Sequence, residues 1–359
     1  MKIPVFEQVN KCSLVLVQRF KKDTLLKTFG LIPVLLMAFG PLTAHSQPEN
    51  GNASYNVITD VFNIGSIESI MIERGGEIVA SEFTGRMNAN RTTNIKSASK
   101  SILSLLVGIA IDQGYLESVD QPIGEFFSEY FDANPDPAKE AITIKDLLTM
   151  RSGLESTSIR NYGRWVVSSN WVNFTLSRDL IAEPGDRMIY STGSSHLLSV
   201  IITKASGTST QAFANQYLFR PMDIRIGGWD RDPQGYYMGG NNMALSPNDM
   251  LKIGRMMMNM GEYNGEQIIS PEWIWESIEA YTRSNFNPYD FGYMWWQRPI
   301  NGYEMIFAWG HGGQYIMMLP ELDTVIVMTS NLMRSRGRGY QRELFRYLED
   351  ELVPVLSEL

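Results

Sequence analysis

Cysteine is all but missing from this chain: Cys12 is the only one in 359 residues, and it falls in the first 46. Beyond that point there is no sulfur for a disulfide and no thiol nucleophile. Histidine is nearly as scarce. His45, His196 and His311 are the whole supply, too few and too scattered for a transition-metal site with ligand spacing. The many carboxylates are dispersed as well, which leaves only a calcium-type oxygen site open. Glycine pairs such as Gly227-Gly228 and Gly239-Gly240 lack the lysine of a phosphate loop and the dinucleotide pattern, so no cofactor is expected. There is also no G-x-S-x-G elbow to anchor a Ser-His-Asp triad.

Basic charge is short. Lys and Arg number 31 against 39 acids, for a net of −8, and the first 46 residues alone hold six basic and two acidic residues, which leaves −12 for the rest. An acidic chain is a poor partner for nucleic acid or for an anionic membrane surface, both of which need a basic face. Long apolar runs are missing too. Leu31 to Phe39, after Lys2, Lys11, Arg19, Lys21, Lys22 and Lys27, falls short of the ~20 residues that span a bilayer. Ala44-His45-Ser46 then offers small residues where a signal peptidase cuts. Residues 1–46 therefore read as a cleaved export signal, with residues 47–359 as a periplasmic or extracellular domain. An uncleaved signal would instead tether the chain to the membrane.

The remainder has an ordinary globular composition. Ile67 to Ile72 and Glu77 to Phe83 flank Gly75-Gly76 as a hairpin. An apolar helix opens at Ser97, with Ile102, Leu105, Leu106 and Ile109 on its buried side. Thr143-Ile144-Lys145-Asp146 fits a capping box, with Gly153 ending that helix. Leu197 to Lys204, stopped at Gly207, is an amphipathic helix, and Ala212 to Phe219 is another. A further helix starts after Ser246-Pro247-Asn248-Asp249 and carries Met256-Met257-Met258 as core filling. Phe291 to Trp296, Gln314 to Leu319 and Thr324 to Thr329 are strand-like, and Gln341 to Leu352 is a closing helix. Strands at both ends with helices between give an α+β fold: an antiparallel sheet flanked by helices, from about 55–95 and 240–359, with an inserted helical lobe at about 110–240.

Chemistry concentrates in three places. Ser97 and Lys100, three apart at a helix start, share one face, where free N–H groups and a partial positive charge suit a developing oxyanion. A lysine serves as a base only if burial or a neighbouring cation lowers its pKa from ~10.4. Tyr190, at the end of a turn before a helix, can share proton traffic with it. Trp309-Gly310-His311-Gly312-Gly313-Gln314 is a glycine-rich lead into a strand, where backbone can approach a substrate. Trp165, Trp171, Trp229 and Trp309 serve either a pocket rim or the core, and core packing is the default for each. His196 reads as a packed or surface histidine.

With Ser97-Ala98-Ser99-Lys100, Tyr190-Ser191-Thr192 and His311-Gly312-Gly313 in order, 93 and 121 residues apart, the chain resembles the serine β-lactamase and penicillin-binding-protein superfamily. The likeness is to its class C-like branch of esterases, D-amino-acid peptidases and 6-aminohexanoate-dimer hydrolases, and covers nearly all of residues 47–359. Ile142 to Leu154 matches the helix and turn that follow the first motif. The resemblance implies Ser97 as nucleophile, Lys100 as its activator, Tyr190 as general base or proton shuttle, and the N–H groups of Ser97 and Gln314 as an oxyanion hole. His311, Gly312, Gly313 and Thr192 would bind substrate. Thr192 replaces a frequent asparagine, and His311 replaces the lysine that binds the carboxylate of β-lactam antibiotics. An imidazole holds an anion less strongly than an ammonium, so a small ester or amide is the expected substrate. A β-lactamase or D-alanyl carboxypeptidase is the alternative enzyme, and a silent binding module of the same fold the alternative of another class.

Overall fold

The computed structural model describes residues 50–331 and 339–359. The expected export signal over residues 1–46, with Cys12 and His45, lies outside them. Eleven residues at Asn50–Asp60 form helix α1, and the hairpin follows as β1 (Ile67–Arg74) and β2 (Glu77–Phe83). Short strands β3 (Thr93–Asn94), β4 (Gly228–Trp229) and β5 (Met243–Leu245) make a three-stranded sheet in the order β3-β5-β4. β6 (Glu262–Tyr263) and β7 (Glu266–Gln267) are a separate two-stranded ribbon. From there β8 (Thr282–Arg283), β9 (Asp290–Phe291), β10 (Trp296–Ile300), β11 (Tyr303–Gly310), β12 (Gln314–Leu319) and β13 (Thr324–Ser330) complete the main sheet. Its order is β2-β1-β13-β12-β11-β10-β9-β8, so β1 from the start of the sequence pairs antiparallel with β13 from its end.

The central strands are apolar on both faces because both are covered. β12 and β13 are buried at every residue, and their register places Ile316 beside Val327 on one face and Tyr315 beside Met328 on the other. Phe345, from a helix over Gly339–Tyr347, meets Phe307 and Tyr315 with ring centroids 5.9 and 6.1 Å apart. On the opposite face a helix over Pro247–Met258 brings Gly254 onto Val325 and Ile316. Ser246 caps that helix through its bond from the Asp249 N–H, and Met256, Met257 and Met258 are buried as core filling. Among the described residues no helix is long and apolar enough to cross a membrane.

Between β3 and β4 the chain runs through helices and loops. Here the capping box is present in full: Thr143 Oγ1 accepts from the Asp146 N–H, and Asp146 Oδ2 accepts from the Thr143 N–H.

Four expectations need correction. The apolar helix, here α2 (Ser99–Asp112), starts two residues after Ser97, which sits instead in a 3-10 turn over Lys96–Ala98. The helix after the capping box, α3 (Ile144–Leu148), ends at Thr149, and Gly153 lies beyond it, with φ +77° and packed against the Ala182 carbonyl. Phe291 to Trp296 is two strands, not one, because Met294 takes φ +64° and its carbonyl turns to accept from Ser101 Oγ at 2.7 Å. Finally, Leu197 to Lys204 belongs to a longer helix, α4 (Thr192–Ser206), which is buried from Thr192 to Ile202 rather than amphipathic, and stops at Gly207 as expected.

Candidate active site

The elements meet at the entrance to α2. β3 is held to β5, and the Ile95 N–H donates to the Met243 carbonyl at 2.9 Å. Asn94 Oδ1 accepts from the Lys96 N–H at 2.9 Å, and Lys96 itself takes the left-handed conformation, with φ +52°. A non-glycine residue held there stores backbone strain, which the fixed strand before it and the buried helix after it can sustain. The turn presents Ser97, half-buried, above a helix whose residues Ser99 to Ala110 are all buried.

Lys100 is 2% exposed. Its Nζ donates to the Gly240 carbonyl at 2.6 Å, to Thr192 Oγ1 at 3.3 Å and to Ser97 Oγ at 3.4 Å. Three donors therefore meet three acceptors, and none of these partners is a carboxylate. Burial without a counter-charge disfavours the ammonium and lowers Lys100 from 10.5 to about 7. The ring of Tyr190 lies 5.2 Å from the same nitrogen. Burial pushes the Tyr190 phenol up to about 12, while its hydrogen bond with Ser97 pulls weakly the other way. Tyr190 is half-buried, and Phe286 and Trp296 pack on it at 5.9 and 6.1 Å.

Tyr190 is bracketed from both sides. The Ile189 N–H donates to the Met150 carbonyl at 2.7 Å, and the Ser191 N–H reaches Met150 Sδ at 3.4 Å. Ser191 then caps α4 by accepting from the Ser194 N–H. Thr192, standing where an asparagine is frequent, reaches Lys100 with its hydroxyl and also lies 2.9 Å from Ser158 Oγ. His311 is exposed at the tip of the β11–β12 hairpin, Gly312 is half-buried and Gly313 buried. The glycine-rich stretch thus turns between two strands, with Gly310 paired to Gln314. Gln314 is wholly buried and its amide bonds the backbone of Ser330 at 2.9 and 3.3 Å. Its side chain is committed to β13, and only its backbone remains to serve a cleft.

Ser97, Lys100, Tyr190 and Thr192 are therefore together. Of the four tryptophans, Trp165, Trp171 and Trp229 are core residues, and Trp309 is half-buried against Trp296 at 5.7 Å. Sequence reasoning missed Gly240 and Ser158. The pair Gly239-Gly240 was the visible signal: Gly240 has φ +86°, and a β-carbon there would collide with Lys100 Cγ.

Residues 68–348 match the family model described as beta-lactamase. The chain is 22% identical over 292 residues to the 6-aminohexanoate-dimer hydrolase of Paenarthrobacter ureafaciens, covering 74% of this chain and 72% of that protein. Among solved structures it is similar to EstCE1, described as a hydrolase with promiscuous acyltransferase activity, with a TM-score of 0.68 and 18% identity over 83% of this chain and 98% of that one. It is also similar to the octameric penicillin-binding protein homologue from Pyrococcus abyssi, with a TM-score of 0.65 and 21% identity over 84% and 77%. These structural likenesses speak for the fold.

Proposed function

This chain belongs to the beta-lactamase family, and we propose that it is a serine hydrolase that cleaves a small ester or amide through an acyl-enzyme on Ser97. The observation that carries this reading is Lys100. It is buried without a counter-charge, lies 3.4 Å from Ser97 Oγ, and has a pKa of about 7. At neutral pH about half of such lysines are free bases, which suits proton removal near the operating pH. Tyr190, up at about 12, is a neutral phenol under the same conditions. Lys100 is then the base and Tyr190 the shuttle.

In the first half-reaction the Ser97 proton passes to Lys100 as Oγ bonds to the substrate carbonyl carbon. The N–H groups of Ser97 and Gln314 face the oxyanion, a contribution of about 3 kcal/mol per donor in comparable sites. Collapse breaks the bond to the leaving alcohol or amine, which takes the proton by way of Tyr190. Water then attacks the acyl carbon and gives one proton back to Ser97 along the same route, releasing the acid. The likeness to a 6-aminohexanoate-dimer hydrolase and to an esterase supports esters and linear amides as substrates. His311, exposed where a β-lactam carboxylate would need an ammonium, speaks against antibiotics.

A fluorophosphonate probe should label the wild type at Ser97. Ser97→Ala should remain folded, take no label, and lose at least about a thousandfold in p-nitrophenyl ester hydrolysis. Equal labelling of the two proteins would sink the nucleophile assignment, and nitrocefin turnover as fast as ester turnover would sink the substrate assignment.

A further inference from the structure

His196 takes no direct part in this chemistry, yet it is fully buried and paired with a buried acid. Its Nε2 lies 3.0 Å from Asp232 Oδ2, and both side chains are closed to solvent. Its other ring nitrogen, Nδ1, accepts from the Gly239 N–H at 3.2 Å. A nitrogen that accepts an N–H carries no proton, so the ring is the neutral tautomer with its proton on Nε2, donated to Asp232. Asp232 Oδ1 meanwhile accepts from the N–H groups of Gln234 and Tyr236 at 2.9 and 2.8 Å. The ring edges meet Trp165 and Trp171 at 5.7 and 5.4 Å. Asp232 is thus the titratable partner that faces the imidazole.

What this pair holds is the peptide beside the lysine. Gly239 is gripped by its N–H on His196, and by its carbonyl, which accepts from Ser195 Oγ at 2.9 Å. It lies so close to α4 that a β-carbon would strike the Ser195 carbonyl and the His196 backbone. The next carbonyl in the chain, that of Gly240, is the shortest contact of Lys100 Nζ. His196 also follows Thr192 by one helical turn, so a single face of α4 presents one group to Lys100 directly and another to Gly239, the residue before the one whose carbonyl Lys100 bonds.

We propose that His196 and Asp232 are positioning residues, which fix Gly239 through its N–H so that the carbonyl of the next residue, Gly240, aims Lys100 at Ser97. The proposal rests on the reading of Lys100 as the base of Ser97. It identifies a second polar relay, Asp232 to His196 to Gly239, whose effect on the reaction passes through Lys100.

Asp232→Asn tests it with almost no change of shape. If the amide oxygen keeps the Gln234 and Tyr236 N–H groups, its NH2 faces the Nε2–H and drives the imidazole to the other tautomer, which sets an Nδ1–H against the Gly239 N–H. If the amide flips, its NH2 opposes two backbone donors. Expected is a folded protein whose kcat/KM per fluorophosphonate-labelled site falls about ten- to a hundredfold, the range seen when groups that orient a reactive ligand are changed. The Lys100 titration, followed by the Cε signal of carbon-13 lysine in NMR, should move to lower pH as the ammonium loses a carbonyl acceptor. A purely structural role would lower thermal stability and the labelled fraction but leave both of those readouts at wild-type values, which overturns the proposal.

His196→Asn and His196→Gln give a second test should Asp232→Asn fail to fold. Asparagine can set its oxygen where Nδ1 was and hold Gly239, whereas glutamine reaches only the Nε2 position. His196→Asn should retain more activity per site and a Lys100 titration nearer the wild type. Equality of the two overturns the proposal. A wild type that takes no fluorophosphonate would defeat the Ser97 reading instead, and the Lys100 titration in the variants would then decide the positioning role alone.

Discussion

Lys100 shows how one residue sets both rate and stability. Folded, it releases its proton near pH 7, whereas an ordinary lysine holds it to 10.5. Between those values the unfolded chain binds more protons than the folded one, so stability rises with pH across the window and gains nothing further above it. Below pH 7 the ammonium is buried without a counter-charge and its full cost is present. Lys100 is 2% exposed, so solvent screening removes little of this, and the span corresponds to a few kcal/mol. Lys100→Met lacks the group. The unfolding free energy of the wild type minus that of the variant should therefore climb from pH 7 to 10, measured by urea melts at fixed ionic strength. Parallel curves for the two proteins would contradict the lowered pKa. The same titration should raise kcat/KM through pH 7, with no further change from Tyr190 until far above it.

At the level of elements, what was legible in the sequence was what is local. The hairpin at Gly75-Gly76, the Ser246 cap and the capping box at Thr143 depend on residues within a few positions of each other. α3 makes the point measurable. Its box fixes five residues, Ile144 to Leu148, ahead of Met150, the residue that brackets Tyr190 through Ile189 and Ser191. Thr143→Ala removes one cap and should cost about 1 kcal/mol, a Tm drop of about 1–2 °C at this size. Because the Met150 loop is also held by the Ile189, Gly185 and Ile181 N–H groups on the Met150, Arg151 and Gly153 carbonyls, kcat/KM per labelled site should stay within about twofold; a loss as large as that of a site residue would show that the cap reaches Tyr190. What was not legible depends on pairs far apart in sequence. Lys100 and Gly240 are separated by 140 residues and Ser158 and Thr192 by 34, and no spacing rule links them. The break at Met294 was hidden for the same reason: the run is rich in aromatic residues that favour strands, and the partner that turns its carbonyl is Ser101, 193 residues away.

For the whole molecule, the question is what ties a chain whose first and last strands are neighbours to a helix from between them. Arg255, on the helix over Pro247–Met258, pairs through Nε with Glu73 of β1 and through Nη1 with Asp323 at 2.7 Å, in the turn between β12 and β13. Three distant parts of the sequence thus meet at one guanidinium. Glu73 is 8% exposed, so loss of its partner strands a buried carboxylate, a change worth about 3–5 kcal/mol. The position is remote from the chemistry: Gln314 opens β12, and Asp323 follows its far end, six residues of strand or roughly 20 Å away. Arg255→Met should therefore lower the Tm by at least about 4 °C and leave kcat/KM per labelled site unchanged. If the stranded carboxylate is the cause, Glu73→Gln should recover a large part of the loss in the Arg255→Met background while costing the wild type stability. Strict additivity of the two substitutions in the double-mutant cycle would assign the loss to side-chain packing instead, and a fall in kcat/KM per site would mean that the far end of the sheet is coupled to Ser97.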